Sequence, residues 1–185
     1  MRGASTAQLR SSPFRASSTI SLDGTRPGLY GSPVRTLAVV LATVGGVGYF
    51  PVASGTAGSL VALPFLPALA ALRGRSPLVY ALTLAALVAV AVWSAGRADE
   101  AFGGHDHSRI VVDEVAGLVV AGAFLPGTWV AAGLAFVLFR LFDVVKPFPA
   151  GLIDGRVPGG VGVVGDDLVA GVYAGLASAV ILRLV

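Results

Sequence analysis

The chain has 185 residues, 55% of them hydrophobic and 12% charged, with a mean hydropathy of +0.84, which is more apolar than an ordinary soluble domain and implies a single membrane domain. It has no cysteine, so disulfides, zinc–thiolate centres, iron–sulfur clusters and a cysteine nucleophile are excluded. A formal net charge of +3 on so apolar a chain points to anionic lipid headgroups as partners rather than to nucleic acid.

Residues 1–35 carry Arg2, Arg10, Arg15, Arg26 and Arg35 against one acid, Asp23, in a background containing Ser, Thr and Pro. Such a segment has little apolar surface to bury, so a disordered arm is expected. A transit peptide has a similar composition, but an unstructured bacterial leader, or a start codon placed too early, is the plainer reading. Residues 36–185 are expected to form the membrane domain.

Apolar segments then follow at about Leu37–Phe50, Leu60–Leu72, Leu78–Ala95, Val115–Leu125, Trp129–Phe139 and Leu168–Leu182. A bilayer core needs ~20 apolar residues per helix, so only Leu78–Ala95 is a conventional span. The shorter segments fit tilted or half-inserted helices, packed closely through glycines such as Gly117, Gly122, Gly171 and Gly175. Pro51, Pro64, Pro77, Pro126 and Pro147 punctuate the segment ends. The expected architecture is all-α: a membrane-embedded bundle of about five or six short apolar helices with polar motif loops at one end.

If each apolar segment is one pass, the polar stretches sort onto two faces. The first face collects the N-terminal arm, Arg73, Arg75, the Pro126–Thr128 turn and the C-terminal Arg183. The second collects Ser54–Ser59, Gly96–Glu114, Arg140–Pro149 and Ile153–Asp167, and with them every acid except Asp23. Carboxylates gathered at one end of a bundle repel one another unless a cation or basic partners lie among them. A metal site is the economical explanation.

Four elements carry the chemistry. His105-Asp106-His107-Ser108-Arg109-Ile110-Val111-Val112-Asp113-Glu114 leads straight into an apolar segment and supplies imidazole and oxygen ligands at a helix start, although a connecting loop with Asp113 as a cap has the same spacing. In Phe139-Arg140-Leu141-Phe142-Asp143-Val144-Val145-Lys146-Pro147-Phe148-Pro149, the residues Arg140, Asp143 and Lys146 recur every third position and share one helix face. That arrangement fits a phosphate clamp around a carboxylate, or an ordinary intrahelical salt bridge. Asp166-Asp167 before the last apolar segment suits a hard cation such as Mg2+. Ser54-Gly55-Thr56-Ala57-Gly58-Ser59 offers amides and hydroxyls to a phosphate as the next helix begins, or is a plain turn.

Taken together, from about Leu37 to Leu182, these elements resemble the phosphatidylglycerophosphatase A family. The most specific matches are the His-Asp-His…Asp-Glu block at His105–Glu114 and the Phe-Arg…Asp…Lys-Pro-x-Pro block at Phe139–Pro149, followed in order by Gly165-Asp166-Asp167. One departure is Ser54-Gly55-Thr56, where the family usually has Pro-Gly-Thr. The resemblance implies Mg2+-dependent hydrolysis of the terminal phosphomonoester of phosphatidylglycerophosphate, in phospholipid biosynthesis at the bacterial inner (plasma) membrane. On this reading Asp113, Glu114, Asp143, Asp166 and Asp167 hold the metal. Gly55, Thr56, Gly58, Ser59, Arg140 and Lys146 face the substrate, and His105, Asp106, His107, Asp113, Arg140 and Lys146 are the catalytic set. Either His105 or His107 is the general acid, and the nucleophile is open between a water and an aspartate.

The competing class is a small membrane cation transporter or channel with an intramembrane carboxylate site. Arg140 and Lys146 beside the acids argue against it, since fixed cations repel a cationic cargo. A structural membrane subunit with incidental charges is the third class. For orientation, counting Lys and Arg puts the arm and Arg73/Arg75 inside, whereas a substrate made at the cytoplasmic leaflet puts the acidic face inside. The functional argument is preferred, so the active site is expected on the cytoplasmic side of a multi-pass protein.

Overall fold

The computed structural model describes residues 32–103 and 107–184, so the arm before Ser32, together with His105 and Asp106, lies outside the described residues. Among the described residues there is no strand. The helices are α1 (Pro33–Ala42), α2 (Ser54–Ala62), α3 (Phe65–Arg75), α4 (Pro77–Phe102), α5 (Val112–Ala121), α6 (Trp129–Val145), α7 (Ala150–Arg156) and α8 (Gly159–Leu184). The expected all-helical bundle is therefore present.

Helix starts follow local side-chain chemistry. The hydroxyls of Ser32, Ser76 and Thr128 accept from the amides of Arg35, Val79 and Ala131, and Pro33 and Pro77 occupy first-turn positions where an amide has no helical partner to lose. Gly103, at φ 104°, ends α4 in the left-handed conformation that favours glycine.

Hydropathy singles out one conventional span, but three helical stretches are long and apolar enough to cross a membrane: Ser54–Arg75, Pro77–Phe102 and Gly159–Leu184. The discrepancy arises because helices continue through polar residues that interrupt the apolar runs in sequence. Ser54, Thr56 and Ser59 are helical in α2, and Asp166 and Asp167 lie inside α8 rather than at its start, because Gly159–Gly165 is helical as well. Large apolar side chains such as Leu78, Val79, Leu82, Val90, Val172 and Leu176 remain exposed along α4 and α8, as a lipid-facing surface requires.

The first apolar segment does not make a pass. Arg35, in the first turn of α1, donates to the carbonyl of Ala101 at 2.9 Å, while at the other end Ala42 accepts from the Val111 amide at 2.9 Å and Gly48 packs on the Arg109 backbone. The segment thus enters and returns to the end of the bundle where α4 stops and α5 begins. Arg35, expected on the face of Arg73 and Arg75, therefore lies at the end where α4 stops. Left-handed turns at Val44, Gly45 and Gly46, with φ of 49°, 66° and 100°, reverse the chain.

The short α5 is the centre of the fold. Val112, Asp113, Ala116, Gly117, Leu118, Val119 and Ala121 are all buried, and a helix apolar on most sides belongs inside rather than against lipid. It packs parallel to α8, with Gly117 beside Asp167 and Gly171, and Ala121 beside Gly175. At the far end, the Arg73 guanidinium and the Tyr80 hydroxyl donate to the Ala123 carbonyl, and Arg73 also reaches that of Leu125. These bonds satisfy carbonyls where α5 ends.

Candidate functional site

The C-terminal end of α6 and the N-terminal portions of α2, α5 and α8 meet at one end of the bundle, and each brings polar side chains. Glu114 from α5, Asp143 from α6 and Asp167 from α8 place one carboxylate oxygen each within 4.8 Å of one another. Asp167 is only 4% exposed, and its carboxyl faces those of Glu114 and Asp143. Buried carboxylates this close repel one another unless a proton or a cation lies among them. The donor set is all oxygen, drawn from three helices, and fits a hard divalent cation.

Arg140 ties this cluster together. Its Nη1 bonds Glu114 Oε2 and lies 3.1 Å from Asp143 Oδ2. The Ser59 hydroxyl, fully buried, lies 3.4 Å from Glu114 Oε2 and bonds the Gly55 carbonyl at 3.1 Å. Burial pushes the Glu114 carboxyl above its ordinary range and the nearby Asp143 charge adds to this, while Arg140 and the Ser59 hydroxyl pull it back down.

Of the remaining predicted acids, Asp113 is buried next to the cluster. Its Oδ1 accepts from the Glu114 amide at 2.9 Å, and its charge acts on Asp167. Asp166 turns to Lys146, whose ammonium lies 2.7 Å from its Oδ2. Lys146 does not continue the helical face of Arg140 and Asp143. It is the residue after α6, at φ 46°, because Pro147 follows and disfavours helix at the preceding position. The i, i+3 pairing of Arg140 with Asp143 holds, but Lys146 reaches α8 by leaving the helix.

The glycine-rich stretch is the opening of α2 rather than a turn before it. A side chain on Gly55 would meet the Glu114 carboxylate and Arg140, so Gly55 abuts the acidic cluster. Gly58 instead packs tightly on Val111. Thr56 is half-buried in the same first turn. His107 stacks on Phe102 at 4.8 Å, and its Nδ1 accepts from the Arg109 amide at 3.3 Å, which leaves Nε2 to carry the proton of the neutral ring.

Beside the cluster opens a cavity of about 510 Å³, lined by Gly48, Tyr49, Phe50, Ser54, Gly55, Ser108, Arg109, Glu114 and Arg140, among others. The amides at the start of α2 border it. Sequence reasoning assigned no role to Tyr49 or Arg109. The signal that could have found Arg109 is its place inside the His105–Glu114 block.

Residues 40–182 match the family model described as phosphatidylglycerophosphatase A. The chain is 38% identical over 138 residues to phosphatidylglycerophosphatase A of Escherichia coli, covering 73% of this chain and 77% of that protein. It is 35% identical over 146 residues to phosphatidylglycerophosphatase A of Haemophilus influenzae, covering 77% and 85%. A Bacteroides thetaiotaomicron protein, provisionally named a phosphatidylinositol-3-phosphatase, is 38% identical over 146 residues, covering 75% and 89%. No solved structure matches the chain.

Proposed function

Because the chain belongs to the phosphatidylglycerophosphatase A family and is thereby a phosphatase, we propose that it removes the terminal phosphate of phosphatidylglycerophosphate to yield phosphatidylglycerol in phospholipid biosynthesis, using Mg2+. The observation that carries this reading is the convergence of Glu114, Asp143 and Asp167 within 4.8 Å, with Arg140 on two of them. Acids alone would suit a cation path, but a phosphoryl site uses both signs of charge.

Glu114, Asp143 and Asp167 would hold the cation, with Asp113 behind them. When bound, it supplies charge neutralisation at the phosphoryl oxygens. The residues of the chain do the rest. Arg140 orients Glu114 and Asp143 and offers remaining donors to the phosphoryl group, and Lys146, anchored on Asp166, adds a second positive charge. The first-turn amides of α2 border the same cavity and favour an anion there. His107, with Nδ1 occupied as an acceptor, presents Nε2 as the atom that would pass a proton to the departing headgroup oxygen. Phosphate release from phosphatidylglycerophosphate by the purified protein in detergent, lost on chelation and restored by Mg2+, tests the reading. Release that persists in chelator would remove the metal from the mechanism.

The Bacteroides relative gives a second headgroup to consider, since its name places the phosphate on an inositol. The two substrates share a phosphomonoester on a headgroup that is joined to diacylglycerol through a phosphodiester. Parallel assays on phosphatidylinositol 3-phosphate decide between them, with the glycerol headgroup expected to be preferred.

We also assign the acidic end to the cytoplasm. With α1 entering and leaving at that end, its described cations are Arg35, Arg97, Arg109, Arg140, Lys146 and Arg156, against Arg73, Arg75 and Arg183 at the other. The charge rule then supports the same side as the leaflet in which the substrate is made.

A further inference from the structure

We propose that Arg109 grips the phosphodiester of the lipid substrate and so sets a preference for phosphomonoesters carried beyond such a linkage; this rests on the lipid-phosphatase reading above. Arg140, paired with Glu114 and Asp143, and Lys146, paired with Asp166, belong to the phosphomonoester end of the site. Arg109 has no acidic partner among the described residues. Its guanidinium lies instead 5.1 Å from the ring centroid of Tyr49 and 5.8 Å from that of Phe102. Two aromatic faces hold a cation in place without neutralising it, which leaves a positioned fork of donors facing an anion of matching shape.

The groups that line the cavity point to which anion this is. Arg140 and Glu114 lie where the cavity meets the acidic cluster, and Arg109 with Tyr49 lines the same cavity. Beside them Tyr49, Phe50 and Val52 are 54%, 59% and 71% exposed, an apolar rim suited to the boundary of headgroup and acyl chains. A substrate whose phosphomonoester reaches the cluster has its diacylglycerol at that rim. The phosphodiester, between the two, falls to Arg109. Inorganic phosphate needs only the cluster, whereas phosphatidylglycerol carries the phosphodiester and no monoester, so the two probes separate the subsites.

The test compares wild type with Arg109→Ala and Arg109→Lys in phosphate-free maltoside micelles. For Arg109→Ala the KM for phosphatidylglycerophosphate should rise about tenfold or more, with kcat within about twofold, as expected for losing a charged hydrogen bond made equally to substrate and transition state. Inhibition by phosphatidylglycerol should weaken by a similar factor while inhibition by inorganic phosphate stays the same. Arg109→Lys, which keeps the charge and loses the fork, should fall between. An unchanged KM, an equal loss of inhibition by both probes, or an effect seen only when anionic vesicles replace the micelles would each overturn the proposal, the last by reassigning Arg109 to bulk headgroups. Wild-type protein that released no phosphate from this lipid would instead remove the underlying reading and the inference with it.

Discussion

At the scale of single residues, the site is a set of charges whose neighbours decide their roles. Asp143 joins the cluster by its carboxylate alone, so Asp143→Asn should cut phosphate release by roughly 100-fold or more while leaving the fold intact, measured as turnover beside thermal unfolding in detergent. Turnover near wild type would remove Asp143 from the mechanism. Gly55 gives a sharper test, because its packing against Glu114 and Arg140 makes it a positioning residue. A methyl group there displaces the Glu114 carboxylate, and a shift of about 1 Å at such a site costs on the order of 100-fold in kcat. Gly55→Ala should lose turnover to that extent, with substrate KM little changed. The residues that converge at the acidic cluster were legible in sequence because their types are rare in an apolar chain. Their partners were not, since nothing local in the Ser54–Ser59 stretch says that Gly55 faces Glu114 or that Gly58 faces Val111, contacts made across more than fifty residues.

At the scale of elements, the geometry of the acidic cluster depends on how closely α5 and α8 approach. Gly171 lies against the Gly117 backbone, and Gly117 against Phe139 and the Asp167 carbonyl, so neither position has room for a side chain. Gly171→Ala should destabilise the protein by about 1–3 kcal/mol and lower turnover as well, because the helix it displaces carries Asp167. Gly133 in α6 is the control: a side chain there meets nothing, and Gly133→Ala should be neutral or stabilising by up to about 1 kcal/mol. Equal losses at both positions, read from thermal unfolding, would show that the crossing is not what the glycines protect. Helical segments were legible from hydropathy, but their ends were not. Asp166 and Asp167 look like a helix start because acids usually sit there, yet α8 begins seven residues before Asp166, at Gly159, through about two glycine-rich turns that have low intrinsic helix propensity. Packing of Gly160 on α4 and of Gly171 on α5 overrides that propensity.

At the scale of the whole molecule, orientation is the property on which the charge count and the leaflet of the proposed substrate disagree if Leu37–Phe50 is a pass, and agree if α1 returns to the acidic end. Apolar length alone makes Leu37–Phe50 a pass. The hydrogen bonds from Arg35 to Ala101 and from Val111 to Ala42 bring both of its ends to the acidic end instead, which puts Arg35 on the side of the acidic cluster. Hydropathy cannot distinguish a pass from a return of equal length, because lipid contact and burial within protein favour the same residues. The chain contains no cysteine, so single cysteines report topology without background. Glu100→Cys, at an exposed position near the end of α4, and Gly74→Cys, exposed in the last turn of α3 with open space around it, sample the two ends. In intact cells a membrane-impermeant maleimide should label Gly74→Cys at once and Glu100→Cys only after permeabilisation. The reverse pattern would put the acidic cluster outside, away from the leaflet in which its lipid phosphate is made, and would require either a flipped substrate or a different one. Labelling of both positions without permeabilisation would mean that α4 does not cross, and the bundle would then have to lie within one leaflet.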